Sequence, residues 1–294
     1  MRIGIVGLGV VGTACKNGFE KIGHEVVYHE ITHYTRIQDV SDTEVCFICV
    51  PTPSDEKGAC DISIVDSVVN DLSVMDYKGI VAIKSTIVPG TVKAFREKYK
   101  NLRIHFVPEF LRERCATEDF IYNHNILVIG ADNDEDFETI RQTHGNLPSH
   151  VVKVEPIEAE LVKYFSNNYK ALRITFANSF YKLCEELGAR YDVVKDAFLF
   201  HGVGEGHYLN VNKELGANYD VVKDSFLFHG VGEGHYLNVN KEFGGYGGTC
   251  LPKDTKGLAF LVDELGLDLK LFRTVVDENN KFVVKVPEGM RKEI

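Results

Sequence analysis

The first 131 residues alternate six short, β-branched apolar runs with spacers long enough to form helices. The runs occupy 2–7, 25–30, 44–50, 80–86, 103–109 and 125–131. Each is apolar on both faces, which suits a parallel sheet covered by helices on either side. A sheet with one wet face would alternate polar and apolar positions instead. The expectation is therefore an α/β fold with a doubly wound parallel sheet over residues 1–155.

From Pro156 the texture changes. Leu161, Phe165, Tyr169, Leu172, Phe176, Phe180, Leu183 and Leu187 recur at intervals of three or four. This predicts one amphipathic helix of about 30 residues, roughly 45 Å long at 1.5 Å per residue. Pro156 suits its first turn and Gly188 its end. A bridging helix of this length, leading into a small all-α domain over 156–294, needs cover for its apolar stripe. A homodimer through the helix would supply it.

Within that second domain lies a nearly perfect 28-residue repeat, 186–213 and 214–241. The copies differ only at Arg190/Asn218 and Ala197/Ser225. Solenoids need about three or more units, so the pair reads as a tandem duplication. One copy is expected in the native place and the other extruded or packed nearby. The glycines of the shared HGVGEGHYLN loop keep the two from merging into one helix.

Composition removes several function classes. With 33 basic and 43 acidic residues, the formal charge of −10 opposes non-specific nucleic-acid binding. No apolar run approaches the roughly 18–20 residues of a membrane span, and the Gly-rich start lacks a secretory pattern. Seven scattered cysteines form no disulfide framework and suit a reducing, cytoplasmic setting. Cys46 and Cys49 form a CxxC, but inside a strand-like run where residues three apart face opposite sides. No metal site is expected.

The chemistry begins at Gly7-Leu8-Gly9-Val10-Val11-Gly12. This GxGxxG follows a strand and opens a helix, and Glu30 ends the second strand about 20 residues on. The glycines allow a tight turn and a close backbone approach to a pyrophosphate at the helix N-terminus. Glu30 would accept from ribose hydroxyls and repel a 2′-phosphate, favouring NAD over NADP. The first domain is thus expected to be of the Rossmann type.

Other strand ends carry Pro51-Thr52-Pro53, Ser85-Thr86 and Pro108-Glu109-Phe110-Leu111-Arg112-Glu113. Glu109 and Glu113 would share a face if this turn is helical; taken singly, each also reads as a solvated turn residue. In the second domain, Gly247, Gly248 and Thr249 precede Cys250, and Pro252 marks the first turn of another helix. A thiol there feels the positive helix end and Lys253, which favours a nucleophilic thiolate. Lys163 and Asn167, four apart, share a face of the long helix, although a lysine there also reads as a surface side chain.

Together GLGVVG, PTP, KST, PEFLRE, LVKYFSNNYKALR and GGTCLPKD resemble the UDP-glucose/GDP-mannose dehydrogenase family, in the family's order. The resemblance implies NAD as cofactor, UDP-glucose or a related nucleotide sugar as substrate, and a helical domain like that of 6-phosphogluconate dehydrogenase. It implies that Cys250 forms a thiohemiacetal and then a thioester with the sugar C6. Lys163 and Asn167 would stabilise the oxyanion, and Asp254 would handle water. Glu109, with Thr86, would act as base in thioester hydrolysis. By the same likeness Gly7, Gly9, Val10, Val11, Gly12, Glu30, Pro51, Thr52 and Thr86 would hold the cofactor. Glu109, Phe110, Leu111, Glu113, Lys163, Asn167, Tyr236 and Gly247 would meet the substrate.

Two departures stand out. The family continues into a further domain that grips the nucleotide, whereas 44 residues follow Cys250 here. Before Tyr236 stands Gly-Val-Gly-Glu-Gly-His, with an acid where the family carries an arginine, and the loop to Cys250 is about three residues longer. A non-catalytic NAD-binding scaffold is the alternative. A hydroxyacid-dehydrogenase relative would share the cofactor domain and long helix but not the Cys250 setting.

Overall fold

The computed structural model describes residues 1–55, 58–200, 245–248 and 250–282. The chain divides into two compact units, Met1–Pro53 with Cys60–Lys163 and Ser54–Ala59 with Tyr164–Ile294.

The first unit is built on strands β1 (Arg2–Val6), β2 (Glu25–His29), β3 (Val45–Ile48), β4 (Ile80–Ile83), β5 (Arg103–Phe106), β6 (Ile126–Gly130) and β7 (His150–Val154). They form one seven-stranded sheet in the order β2-β1-β3-β4-β5-β6-β7. Between them run α1 (Val10–Lys21), α2 (Ser63–Val74), α3 (Thr91–Lys98), α4 (Ala116–Tyr122) and α5 (Asp134–His144). The sheet is doubly wound: β2 lies on one side of β1 and β3 on the other, both parallel to it. Val6 is in register with His29 and with Ile48, so the residues after these strands emerge at one level. That is the switch point where open α/β sheets bind ligands.

Two features depart from the sequence reading. The strand β7 was not expected, because HVVKV is short and half-exposed at the sheet edge and lacks a two-faced apolar run. The sheet is also not wholly parallel, since β6 meets β5 antiparallel at the Phe106–Gly130 bridge. Apolarity on both faces reports burial, which favours a parallel sheet as a whole but does not fix the direction of any one strand pair.

The core beneath α1, α4 and α5 centres on Ile3, Ile5, Phe19, Phe47, Phe120 and Ile129. The Phe19 ring lies 5.1 Å from that of Phe47 and 5.4 Å from that of Phe120. Cys46 and Cys49 are both buried in this unit, and no metal-ligating cluster occurs among the described residues.

The long helix is present as α6, Pro156–Glu186. Past its end, Ala189 N–H donates to the Cys184 carbonyl at 2.8 Å. Near its start, Glu160 accepts from the N–H groups of Gly90 (2.6 Å) and Val92 (2.9 Å), capping α3, whose own N-cap has no side chain. The division between the units falls inside α6, after Lys163.

The described helices of the second unit are the remainder of α6, α7 (Tyr191–Phe200), α8 (Leu251–Glu264) and α9 (Lys270–Asn279). Ala171, Tyr246 and Val275 form one small core, and Ala177, Cys184 and Tyr191 another. Tyr236 and most of the repeat, including the expected separation of its copies, lie outside the described residues. No helix among those described is long and apolar enough to cross a membrane.

Candidate active site

In the first unit, Gly7 turns the chain after β1 with φ +91°, where a Cβ would also meet the Cys49 carbonyl oxygen at 2.7 Å. Gly12 packs so tightly that a Cβ would stand 1.9 Å from the Gly7 carbonyl oxygen. Gly9, by contrast, faces open space and is the N-cap of α1. No side chain caps that helix, and its first turn has no acid. Free N–H groups, a favourable dipole and an absence of negative charge fit a pyrophosphate. Val10 and Val11 begin α1 and pack on the core.

Glu30 follows β2 directly. Its Oε2 accepts from Leu8 N–H at 2.7 Å, and its Oε1 accepts from Thr32 N–H and Oγ1 at 3.2 Å each. The Leu8 bond above all, with Thr32 and against partial burial, holds the carboxyl below its ordinary range. The carboxylate is thereby fixed to the glycine turn. Past β3, Pro51 is exposed and Thr52 buried.

At the ends of β4 and β5 the unit contains a buried charge cluster. Glu109 Oε2 lies 3.2 Å from Lys84 Nζ, with the side chains 8% and 1% exposed. Glu109 Oε1 accepts from Phe110 N–H at 2.7 Å. Lys163 Nζ donates to the Glu109 backbone carbonyl and lies 5.7 Å from the Phe110 ring centroid. Burial pushes the Glu109 carboxyl up, but Lys84, His124, the Phe110 N–H and Lys163 together bring it below its ordinary value. Thr86 is partly exposed, and its carbonyl accepts from the Cys60 thiol at 3.7 Å.

Residues 107–112 are not helical, so the condition for a shared Glu109/Glu113 face fails. Glu109 is turned inward, whereas Glu113 opens a 3-10 turn, Glu113–Cys115. Arg112 secures this stretch to α4 through a fork to Asp119, at 2.9 and 2.6 Å. Leu111 packs against the core.

In the second unit, Cys250 is exposed and is the N-cap of α8, with Pro252 in the first turn. Asn167 Nδ2 donates to Asp254 Oδ2 at 2.5 Å, and Asn168 Nδ2 donates to the Asp254 carbonyl at 3.2 Å. Asp254 Oδ1 has Lys253 Nζ at 3.5 Å. Two adjacent asparagines of α6 therefore hold the helix start that carries the thiol. Before Cys250, Gly247 is half-buried, and Tyr246 is held by Asn279 and by its own hydroxyl, 3.2 Å from Thr255 Oγ1. Gly245 permits this approach, since a Cβ would lie 2.2 Å from Asn279 Oδ1.

Sequence reasoning missed Lys84, His124 and Asn279. Lys84 left a signal, a lysine closing the otherwise apolar run IVAI. Nothing local distinguishes the other two.

Comparison with known proteins matches residues 30–147 to the UDP-glucose/GDP-mannose dehydrogenase family, NAD binding domain. The same family's central domain matches 157–216 and 207–281, the two stretches overlapping where the repeat copies join. The chain belongs to this family. NAD is the cofactor of the matched first domain. UDP-glucose 6-dehydrogenase from Rickettsia typhi is 32% identical over 249 residues, 82% of this chain and 50% of that protein. UDP-glucose 6-dehydrogenase from Haloferax volcanii is 27% identical over 268 residues, 84% of this chain and 54% of that one. The UDP-glucose dehydrogenase structure from Pyrobaculum islandicum superposes with a TM-score of 0.74 at 26% identity, covering 95% of this chain and 68% of that one. The chain thus spans about half the length of these curated relatives.

Proposed function

We propose that the chain is an NAD-dependent nucleotide-sugar dehydrogenase that oxidises the C6 alcohol of UDP-glucose to the carboxylate of UDP-glucuronate. The observation that carries the reading is an exposed thiol at the start of α8, on a turn secured by the Asn167–Asp254 bond, in a chain that also has a tightly packed glycine turn before α1. Residues 1–155 are assigned to cofactor binding, and 156–294 to the central and dimerising domain. The exposure of Phe176, Phe180 and Leu183 along α6 supports a homodimer through that helix.

Bound NAD supplies the two-electron acceptor for each oxidation. In this reading the Cys250 thiolate adds to the C6 aldehyde, and its sulfur carries the acyl group as a thioester after the second oxidation. Lys163 and Asn167 donate to the oxyanion. Glu109 takes the proton of the hydrolytic water, with Thr86 orienting it, and Asp254 positions or deprotonates water. Gly7, Gly9, Gly12 and Glu30 hold the cofactor, with Val10, Val11, Pro51 and Thr52 beside it. Phe110, Leu111, Glu113, Tyr236 and Gly247 are assigned to substrate.

The test is NADH formation across UDP- and GDP-sugars by the full chain, by Cys250→Ala, and by a variant lacking 186–213. UDP-glucose-dependent NADH that disappears in Cys250→Ala supports the proposal. NAD binding with no turnover on any of these sugars, in either the full or the shortened chain, identifies a scaffold instead.

A further inference from the structure

We propose that Lys84 is a positioning residue that keeps the buried Glu109 carboxylate charged and fixed in place. The inference rests on the reading of Glu109 as the hydrolytic base and adds what allows a carboxylate to do that work out of water.

Lys84 leaves the end of β4 and Glu109 leaves the end of β5, on strands paired in parallel with Ile83 beside Phe106. Both side chains are almost wholly enclosed. Apart from the contact between them, Lys84 Nζ and Glu109 Oε2 have no hydrogen-bond partner among the described residues. A carboxylate alone in such a place retains its proton, and a lysine alone loses one. Side by side at 3.2 Å, each stabilises the charge on the other.

The surrounding groups leave this role to Lys84. Burial drives His124, past α4, and His144, on α5, towards their neutral forms. Burial, helped by the hydrogen-bonding neighbour Cys49 past β3, also pushes up the free Cys15 thiol on α1. Lys163, from α6, is bonded to the Glu109 backbone carbonyl. Lys84 is thus the cation in ion contact with the carboxylate. Two apolar side chains of similar volume often fill a buried space as stably, so packing alone does not call for a charged pair here.

The experiment follows Glu109 directly, by carbon NMR of the full chain labelled at the glutamate carboxyl carbon. The resonance lost in Glu109→Gln identifies it. In the parent it is expected to stay ionised to below the ordinary carboxylate range. In Lys84→Met its midpoint is expected to rise by about one to three pH units, while Lys84→Arg keeps it low. An unmoved midpoint in Lys84→Met, or a protonated Glu109 at neutral pH in the parent, overturns the proposal. Should Lys84→Met fail to fold, the uncharged pair Lys84→Met/Glu109→Gln decides. Recovery of folding supports the proposal, and equal loss overturns it. The base reading fails separately, if Glu109→Gln hydrolyses the thioester at the parent rate while the NMR result stands.

Discussion

The side-chain amide of Asn279 grips the backbone of Tyr246 twice, accepting from its N–H at 2.8 Å and donating to its carbonyl at 3.0 Å. Asn279 ends α9, and Tyr246 lies four residues before Cys250. Asn279→Ala strands two buried backbone groups and is expected to cost about 2–6 kcal/mol, at about 1–3 kcal/mol per unsatisfied group. Urea unfolding measures the loss. The rate of Cys250 alkylation should change with it, whereas Asn279→Asp, which keeps the acceptor, should fall in between.

Gly12→Ala places a methyl group against the Gly7 carbonyl oxygen, where 1.9 Å is available. The turn must open, and overpacking of this kind costs about 1–3 kcal/mol. NAD affinity by calorimetry is expected to fall at least about tenfold, the equivalent of 1.4 kcal/mol. Unchanged affinity would exclude this turn as the pyrophosphate site.

Glu30→Ala removes both the proposed ribose acceptor and the anchor of Leu8 N–H. NAD binding should weaken by about tenfold or more, while NADP binding should improve relative to it as the repelling charge goes. Equal loss for both cofactors would leave Glu30 only a structural part in the turn.

Acid should destabilise the fold through its histidines. Burial above all lowers His24, His105, His124 and His144 from the ordinary 6.5, His144 the furthest. Below pH 6.5 the unfolded chain binds protons that the folded chain refuses, so stability present above that value is lost as pH falls through this window. The melting temperature should drop from neutral pH towards pH 5, and the drop should be shallower in His144→Phe. A parallel pH dependence in the variant would remove His144 from the account.

The apolar face of α6 gives a test of the proposed dimer. Phe176 is 59% and Phe180 38% exposed, with ring centroids 5.7 Å apart. Sedimentation should show a dimer that dissociates in Phe176→Lys/Phe180→Lys. A monomeric parent would refute the assignment.

Much of the architecture was legible as pattern. Two-faced apolar runs marked six strands, three-and-four spacing marked α6, and glycine spacing marked the tight turn between β1 and α1. These signals are local, because burial on one face or two imposes a period on adjacent residues. The edge strand β7 escaped for the same reason, since half-exposure leaves no two-faced run. Glu109 is legible as a candidate, but a face shared with Glu113 depends on a helical turn, and residues 107–112 are not helical.

The amino-acid order by itself determined most of the elements, the glycine turn before α1 and the placing of a thiol at a helix start, because periodicity and backbone freedom act within a few residues. Only the tertiary structure decided that β6 runs against β5, that Lys84 meets Glu109, and that Asn279 holds Tyr246. These pairings join residues 24, 25 and 33 positions apart. They depend on which strands and helices become neighbours, and a side chain's charge or hydrogen-bonding capacity does not specify the partner that burial will bring to it.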